Sequence, residues 1–382
     1  MSAVRAADPS VARLLVADDQ PHILIALEML LDEHGYQTQL VSSPAGVLDS
    51  LQQGSFDTVL LDLNYTRDTT GGAEGLELVS TIRSMDKTIS LVVMTAWGNV
   101  DLAVEAMRRG ASDFVQKPWN NRQLLGKVRE QVERCRILRS HQRRHDEESA
   151  DASEIQRNLL PSAVPPITGY DVSAITKSVH FVGGDYYNVA KISDTQTAFC
   201  IADVAGKGLP GALLMSNLQA SLKPLIRKNL EPSELCSRLN RILCEIMPEN
   251  KFISFFYGVL DSSTNRLIYC NAGHNPPLLV RVNGWVDELK SSGAILGRFP
   301  NWTYAEKDQP LQPGDTMVFF TDGVVEACNE QCEPFGETRL VNLVREFGHG
   351  RAADVQEKLM NAISSHCGGK LQDDATMIVL RA

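Results

Sequence analysis

Four aspartates stand at the edges of apolar runs, and their setting points to chemistry on phosphate. Asp185 lies in Val182-Gly-Gly-Asp-Tyr-Tyr187, and Asp203 closes the run Ala198-Phe-Cys-Ile-Ala202 and opens Asp203-Val-Ala-Gly-Lys-Gly208. Asp322 follows Met317-Val-Phe-Phe-Thr321, and Asp373, with its neighbour Asp374, precedes Ala375-Thr-Met-Ile-Val-Leu380. Carboxylates at strand ends can converge on hard cations, which prefer oxygen ligands. Glycines beside them let backbone approach an ion or a phosphate closely. Converged, the four could hold two Mg²⁺ or Mn²⁺ ions roughly 3.5–4 Å apart, with one carboxylate bridging both. The paired charges would lower the pKa of a bridging water and supply hydroxide for in-line attack on phosphorus. No side-chain nucleophile is then needed. An isolated Asp-Gly pair is most often a turn, but four acidic sites, three of them fed by apolar strands, are harder to ascribe to turns alone.

A second acidic set lies in the first third of the chain. Asp18 and Asp19 follow the first apolar run, Asp62 the third, Thr95 the fourth and Lys117 the fifth. Three carboxylates at one sheet edge repel one another. A bound Mg²⁺ would relieve that repulsion and polarise a phosphoryl group. Lys117 could pair with phosphate oxygens or with a carboxylate, and Thr95 could donate a hydroxyl hydrogen bond. Lys117-Pro118 is a candidate cis bond that would aim the amine.

The elements that must position these groups fall into two patterns. Strand-like runs at 14–16, 58–61 and 89–94, with weaker ones at 37–41 and 113–115, alternate with helical patterns such as 23–31 and 100–107. This alternation predicts an α/β, doubly wound, five-stranded parallel sheet, with functional groups at the carboxyl ends of its strands. From 121 to 160, Leu125, Val128, Val132 and Cys135 recur at three- and four-residue steps. A charged stretch follows at 139–148, and Ile155 and Leu159 resume an apolar stripe that Pro161 ends. The spacing predicts a long helix with a candidate break at Ser149-Ala-Asp-Ala-Ser153. It is either the last helix of the first domain running into a solvated linker, or a dimeric coiled coil. Beyond 165, strand candidates dominate at 198–202, 254–260, 266–270, 277–282, 316–320 and 376–380, with helical patterns near 211–225, 233–246 and 352–364. Mixed sheets with flanking helices are expected, as an α+β layered β-sandwich. The predicted organisation is a tail at 1–10, a first core at 11–120, a helical linker at 121–160 and a second domain at 161–382.

Composition narrows the function. The chain has 382 residues, enough for two ordinary domains, and 43% of them are hydrophobic, which argues against global disorder. A net charge of −10 and the lack of a helix-turn-helix candidate or basic surface argue against a DNA reader, and nucleic acid is not an expected partner. None of the eight cysteines forms a Cys-x-x-Cys pair, so neither a zinc site nor a disulfide framework is implied. No signal-peptide core stands at the N-terminus and no apolar run reaches about eighteen residues, so the expected setting is cytoplasmic, without a membrane partner.

Two resemblances sharpen these expectations. Residues 11–138 resemble a response-regulator receiver domain through Asp18-Asp19, Val59-Leu-Leu-Asp62-Leu, Thr95-Ala96 and Gly110-Ala-Ser-Asp-Phe-Val-Gln-Lys117-Pro118. The resemblance implies that Asp62 is the phosphoacceptor. It also implies that Asp18, Asp19, Asp62 and the Asn64 carbonyl hold Mg²⁺, that Thr95 and Phe114 form a switch pair, and that Lys117 contacts phosphate. The segment Asn64-Tyr-Thr-Arg-Asp-Thr-Thr-Gly-Gly-Ala73 is longer than the usual turn there, either as a plain insertion or as a shield over the site.

From about Glu154 to Leu380 the chain resembles bacterial PPM-type protein serine/threonine phosphatases of the SpoIIE-like subtype. The matching motifs are Glu154-Ile-Gln-Arg-Asn-Leu-Leu-Pro161, Val182-Gly-Gly-Asp-Tyr-Tyr187, Asp203-Val-Ala-Gly-Lys-Gly208-Leu-Pro-Gly-Ala-Leu-Leu-Met215, Asn271-Ala-Gly-His-Asn-Pro-Pro277, Thr321-Asp-Gly-Val-Val-Glu326 and Asp373-Asp-Ala-Thr376. This implies a catalytic centre built on Asp203 and Asp185. Asp203 would bridge two Mn²⁺ or Mg²⁺ ions with the Val204 carbonyl as a further ligand, Asp322 and Asp373 would bind one ion, and Asp185 would serve the other. Asn188 stands where the family usually has an acid, and Gly211 where it often has alanine. Neither change removes a ligand, so activity is expected to survive.

His274 is readable as a general acid or as a structural histidine in a turn, and Lys207 as a phosphate contact or a solvated side chain. The whole is expected to be a phosphatase governed through Asp62, with a cognate histidine kinase upstream, a phosphorylated anti-sigma-factor antagonist as substrate, and a homodimer formed through the linker helix as a possible assembly. The alternative is a catalytically weak adaptor that keeps only the phosphatase fold. The filled acidic positions favour the enzyme.

Overall fold

A computed structural model describes residues 11–65, 72–96 and 100–382. The chain divides into two compact units, residues 1–147 and 148–382.

The first unit alternates strand and helix. It runs β1 (Arg13–Ala17), α1 (Pro21–Glu33), β2 (Gln37–Val41), α2 (Pro44–Gln53), β3 (Thr58–Asp62), α3 (Ala73–Met85), β4 (Ser90–Ala96), α4 (Val100–Arg108) and β5 (Asp113–Lys117). The strands form one parallel sheet ordered β2-β1-β3-β4-β5. Proline at the first helical position starts α1 and α2, and the Ser43 hydroxyl caps α2 by accepting the Gly46 N–H. Strand alternation divides the core between the two faces. Leu15, Val59, Leu61, Leu91 and Val93 pack under α2 and α3, while Leu14, Val16, Leu60, Val92 and Met94 face α1. The expected five-stranded α/β fold is therefore present, weak strands included.

α5 (Asn121–Leu159) follows as one continuous helix. Its first turns close the second face of the sheet with Leu124, Val128 and Val132, so the buried stripe begins at Leu124 rather than Leu125. Arg139 continues the attachment, donating to the Phe56 carbonyl at 2.8 Å and pairing with Asp86 at 3.2 Å. The expected break at 149–153 does not occur. That stretch contains no glycine or proline, and its polar residues are tolerated on a helix surface.

The second unit is a sandwich of two five-stranded sheets. Its elements are β6 (Asp171–Lys177), β7 (Tyr186–Lys191), β8 (Gln196–Val204), α6 (Leu209–Ile226), α7 (Pro232–Ile246), β9 (Ile253–Asp261), β10 (Arg266–Ala272), β11 (Leu278–Val280), β12 (Val286–Glu288), β13 (Lys307–Pro310), β14 (Thr316–Phe320), α8 (Asp322–Val325), α9 (Glu337–Phe347), α10 (Ala352–His366) and β15 (Ala375–Arg381). The sheet orders are β13-β10-β9-β8-β7 and β12-β11-β14-β15-β6. Mixed sheets were expected, but neighbouring strands pair antiparallel throughout. The period of two sorts the layers. Phe199 and Ile201 of β8 and Met317 and Phe319 of β14 meet between the sheets, where Phe199 stacks on Phe319 at 5.9 Å. Ala198, Cys200 and Ala202 face α6 and α7, whereas Val318 and Phe320 face α9 and α10. All eight cysteines are free. Among the described residues, no helix is long and apolar enough to cross a membrane.

Candidate active sites

In the first unit, parallel register brings the sheet's carboxyl ends together. Asp62 pairs with Met94 and Ala96 with Lys117 across neighbouring strands. Asp18 is fully buried, Asp62 nearly so, and carboxylate oxygens of Asp18, Asp19 and Asp62 lie within 4.8 Å of one another. Lys117 Nζ bridges two of them, at 2.6 Å from Asp18 and 2.8 Å from Asp62. Burial raises the Asp62 carboxyl above its ordinary range, and the Lys117 hydrogen bond and charge offset part of that rise. Three acids facing one ammonium are short of positive charge, and their all-oxygen donor set suits a hard divalent cation.

The Lys117-Pro118 bond is cis. The Asn64 N–H donates to Asp62 at 3.4 Å, which places the turn against the phosphoacceptor candidate. Thr95 is buried at the end of β4, whereas the Phe114 ring is 39% exposed with Lys127 Nζ 5.2 Å from its centre. Residues 66–71 of the long loop lie outside the described residues. Sequence reasoning passed over Tyr65, whose ring is buried and whose hydroxyl is pushed up by burial and by the charges of Asp62, Asp18 and Asp19. Only its aromatic character in an otherwise polar loop could have flagged it.

In the second unit, the acids gather at one end of the sandwich. Asp203 lies in β8, one residue from its end, Asp322 opens α8 directly after β14, Asp373 precedes β15 and Asp185 precedes β7. Burial and the charges of Asp322 and Asp373 push the Asp203 carboxyl up to about 7. Burial and Asp203 push Asp185 well above the carboxylate range. Burial, Glu326 and Asp373 raise Asp322. These groups feel one another strongly, yet among the described residues Asp18, Asp19 and Asp62 form the acidic group whose oxygens close to within 4.8 Å. Their mutual repulsion and all-oxygen chemistry fit a hard divalent cation.

The frame around these acids was only partly anticipated. Asp374, beside the ligand candidate Asp373, is buried and accepts the N–H groups of Val179 and Gly184, each at 2.8 Å. A side chain at Gly183 would overlap the Asp374 carboxylate, so this contact requires glycine there. Thr321 donates to Asp185 Oδ2 at 2.7 Å and accepts the Thr376 N–H at 2.9 Å. The buried Gln156 side chain donates to the Gly183 carbonyl at 2.7 Å and accepts its N–H at 2.9 Å. Thr321, Thr376 and Gln156 lie within recognisable motifs, but nothing in their types announces a role.

The remaining candidates separate clearly. His274 is buried, its Nδ1 lies 2.8 Å from the Ser254 hydroxyl, and burial lowers the ring to about 4. Burial thus disfavours the charged ring, and its Nε2 is buried without a hydrogen-bond partner among the described residues. Lys207 Nζ pairs with Asp373 at 2.7 Å. Asn188 sits within β7 opposite Cys200. At Gly211, where the resembled family often has alanine, an added methyl group would crowd the Gly206 carbonyl, so glycine suits this loop.

Comparison with known proteins agrees with both halves. Residues 14–129 match the response regulator receiver domain family, and residues 193–382 match the Stage II sporulation protein E (SpoIIE) family. Phosphoserine phosphatase RsbU of Bacillus subtilis is 31% identical over 246 residues, covering 64% of this chain and 72% of RsbU. Phosphoserine phosphatase RsbP of the same organism is 23% identical over 218 residues, and the chain spans about half of it, 52%, with 56% of this chain covered. The solved SiaA-PP2C domain of Pseudomonas aeruginosa superposes with a TM-score of 0.57 at 22% identity, over 63% of this chain and 98% of that domain. At that identity it establishes the fold. Fold and site together define a receiver joined to a PPM-type phosphatase. The chain belongs to the SpoIIE family of protein serine/threonine phosphatases.

Proposed function

We propose that this chain is a two-component response regulator in which phosphorylation of Asp62 controls hydrolysis of phosphoserine or phosphothreonine on a protein substrate. By kinship with RsbU, the substrate is an anti-sigma-factor antagonist, and a cognate histidine kinase supplies the phosphoryl group to Asp62. The setting is cytoplasmic. Asp203, the Val204 carbonyl, Asp322, Asp373 and Asp185 would hold two Mn²⁺ or Mg²⁺ ions, and Asp18, Asp19, Asp62 and the Asn64 carbonyl one Mg²⁺. When bound, such ions supply an activated water and neutralise charge on phosphoryl oxygens.

The protein's own contribution is positional. Thr321 holds one Asp185 oxygen, Asp374 tethers the glycine loop, and β8 carries Asp203 next to its last residue. In the receiver, Lys117 holds Asp62 and Asp18 together and is the cation placed to meet incoming phosphate oxygens. Thr95 and Phe114 respond to phosphorylation, and α5 carries that response toward residues 148–382, with a homodimer through this helix as its natural assembly. The observation that carries the enzyme reading is Asp203, partly buried, with its carboxyl raised first by desolvation and then by the charges of Asp322 and Asp373. A mere adaptor has no use for a set of acids that repel one another.

The test is phosphate release from a phosphoserine protein with Mn²⁺, comparing wild type with Asp203→Ala, each with and without a phosphoryl mimic on Asp62. Metal-dependent release by wild type alone supports the enzyme, and equal background from both proteins rejects it. Wild-type activity that ignores the mimic removes control by Asp62 and leaves the chemistry.

A further inference from the structure

Both oxygens of Asp373 are already engaged. Oδ1 accepts the Asp374 N–H at 2.9 Å, and Oδ2 faces Lys207 Nζ at 2.7 Å. The same ammonium donates to the Gln372 carbonyl at 2.9 Å, so it is held at two points on the strand-leading segment. Lys207 stands between Gly206 and Gly208, both at positive φ, within the loop that follows Asp203. Its side chain is about half exposed, 54%, and can swing clear without disturbing the core.

We propose that Lys207 is the resident counterion of Asp373 and that a divalent cation binds Asp373 by displacing it. This rests on the assignment of Asp373 as a metal ligand. The ammonium takes one lone pair of Oδ2, and its positive charge repels a cation bound to the same carboxylate. The flanking glycines let the loop release the lysine while Asp203 stays in place. Displacement frees the ammonium beside the site. Metal affinity at Asp373 is thereby set below what the carboxylates alone would give.

The test is Mn²⁺ binding to the full chain by titration calorimetry without substrate, for wild type, Lys207→Gln, Lys251→Gln, Asp373→Asn and the Lys207→Gln/Asp373→Asn double variant. The receiver's acidic trio contributes equally to every isotherm. Lys207→Gln should bind Mn²⁺ about fivefold more tightly, the worth of a partly exposed ion pair. Lys251, whose ammonium also lies against Gly206, reports the general field, and Lys251→Gln should change affinity by less than about twofold. On top of Asp373→Asn, Lys207→Gln should add nothing. Unchanged or weaker binding by Lys207→Gln overturns displacement, as does an equal gain in Lys251→Gln. If Asp373→Asn binds like wild type, the ligand assignment itself falls. If Asp373→Asn binds weakly while Lys207→Gln is unchanged, displacement alone falls.

Discussion

Gln156 grips the Gly183 peptide from both sides, its Nε2 donating to the carbonyl at 2.7 Å and its Oε1 accepting the N–H at 2.9 Å. The contact is buried and joins the last turns of α5 to the loop that carries Asp185, two residues on. A side-chain amide here does what a neighbouring strand would do, satisfying a backbone donor and acceptor that water cannot reach.

Gln156→Ala leaves both Gly183 groups unpaired. The expected cost is about 1–3 kcal/mol of stability, with phosphatase turnover down about ten- to hundredfold through misplacement of Asp185. Hydrogen exchange at residues 182–186 should rise together with the fall in kcat. A kcat loss with unchanged exchange there would show that Gln156 does not act through the loop.

Gly211→Ala tests how tightly the Asp203 loop is seated. The added methyl meets the Gly206 carbonyl and approaches Gly184, both backbone, so no side chain can yield. Overpacking of this kind should cost about 1–3 kcal/mol and lower activity as well. Urea denaturation and Mn²⁺-dependent turnover that both match wild type would refute the tight seating.

His274 gives a pH signature. Its folded pKa, about 4, lies below the ordinary 6.5, so the unfolded chain binds the extra proton first. The stabilisation is fully present above pH 6.5, declines as pH falls from there toward 4, and levels off below. The loss approaches about 3 kcal/mol. Urea midpoints measured from pH 8 to 4 should therefore slope less steeply in His274→Gln than in wild type across that window. Parallel slopes would mean the ring is solvated.

Asp62→Asn should abolish hydroxylamine-labile phosphorylation by acetyl phosphate, visible as loss of the retarded band on a phosphate-affinity gel. Lys117→Gln removes the cation facing both Asp18 and Asp62. It should slow labelling by about a hundredfold while Asp62 remains the site. Persistent labelling of Asp62→Asn would assign the phosphoacceptor elsewhere.

The two acidic constellations, the parallel sheet and the layered sandwich were readable from sequence. Apolar runs ending in aspartate impose strand ends on local chemistry, and period-two burial needs no long-range information. β6, with intermediate burial along most of its length, carried a weaker pattern and went unpredicted, and α9 went unpredicted as well. The tertiary structure alone decided how the acids are held. Asp374 and Asp373 are adjacent and chemically identical, yet one tethers two backbone N–H groups and the other meets Lys207, because the irregular backbone leading into β15 sends the two side chains to different neighbours. Gln156 and Gly183 are 27 residues apart, and no local signal distinguishes a glutamine that will be buried against a peptide from one that will face water.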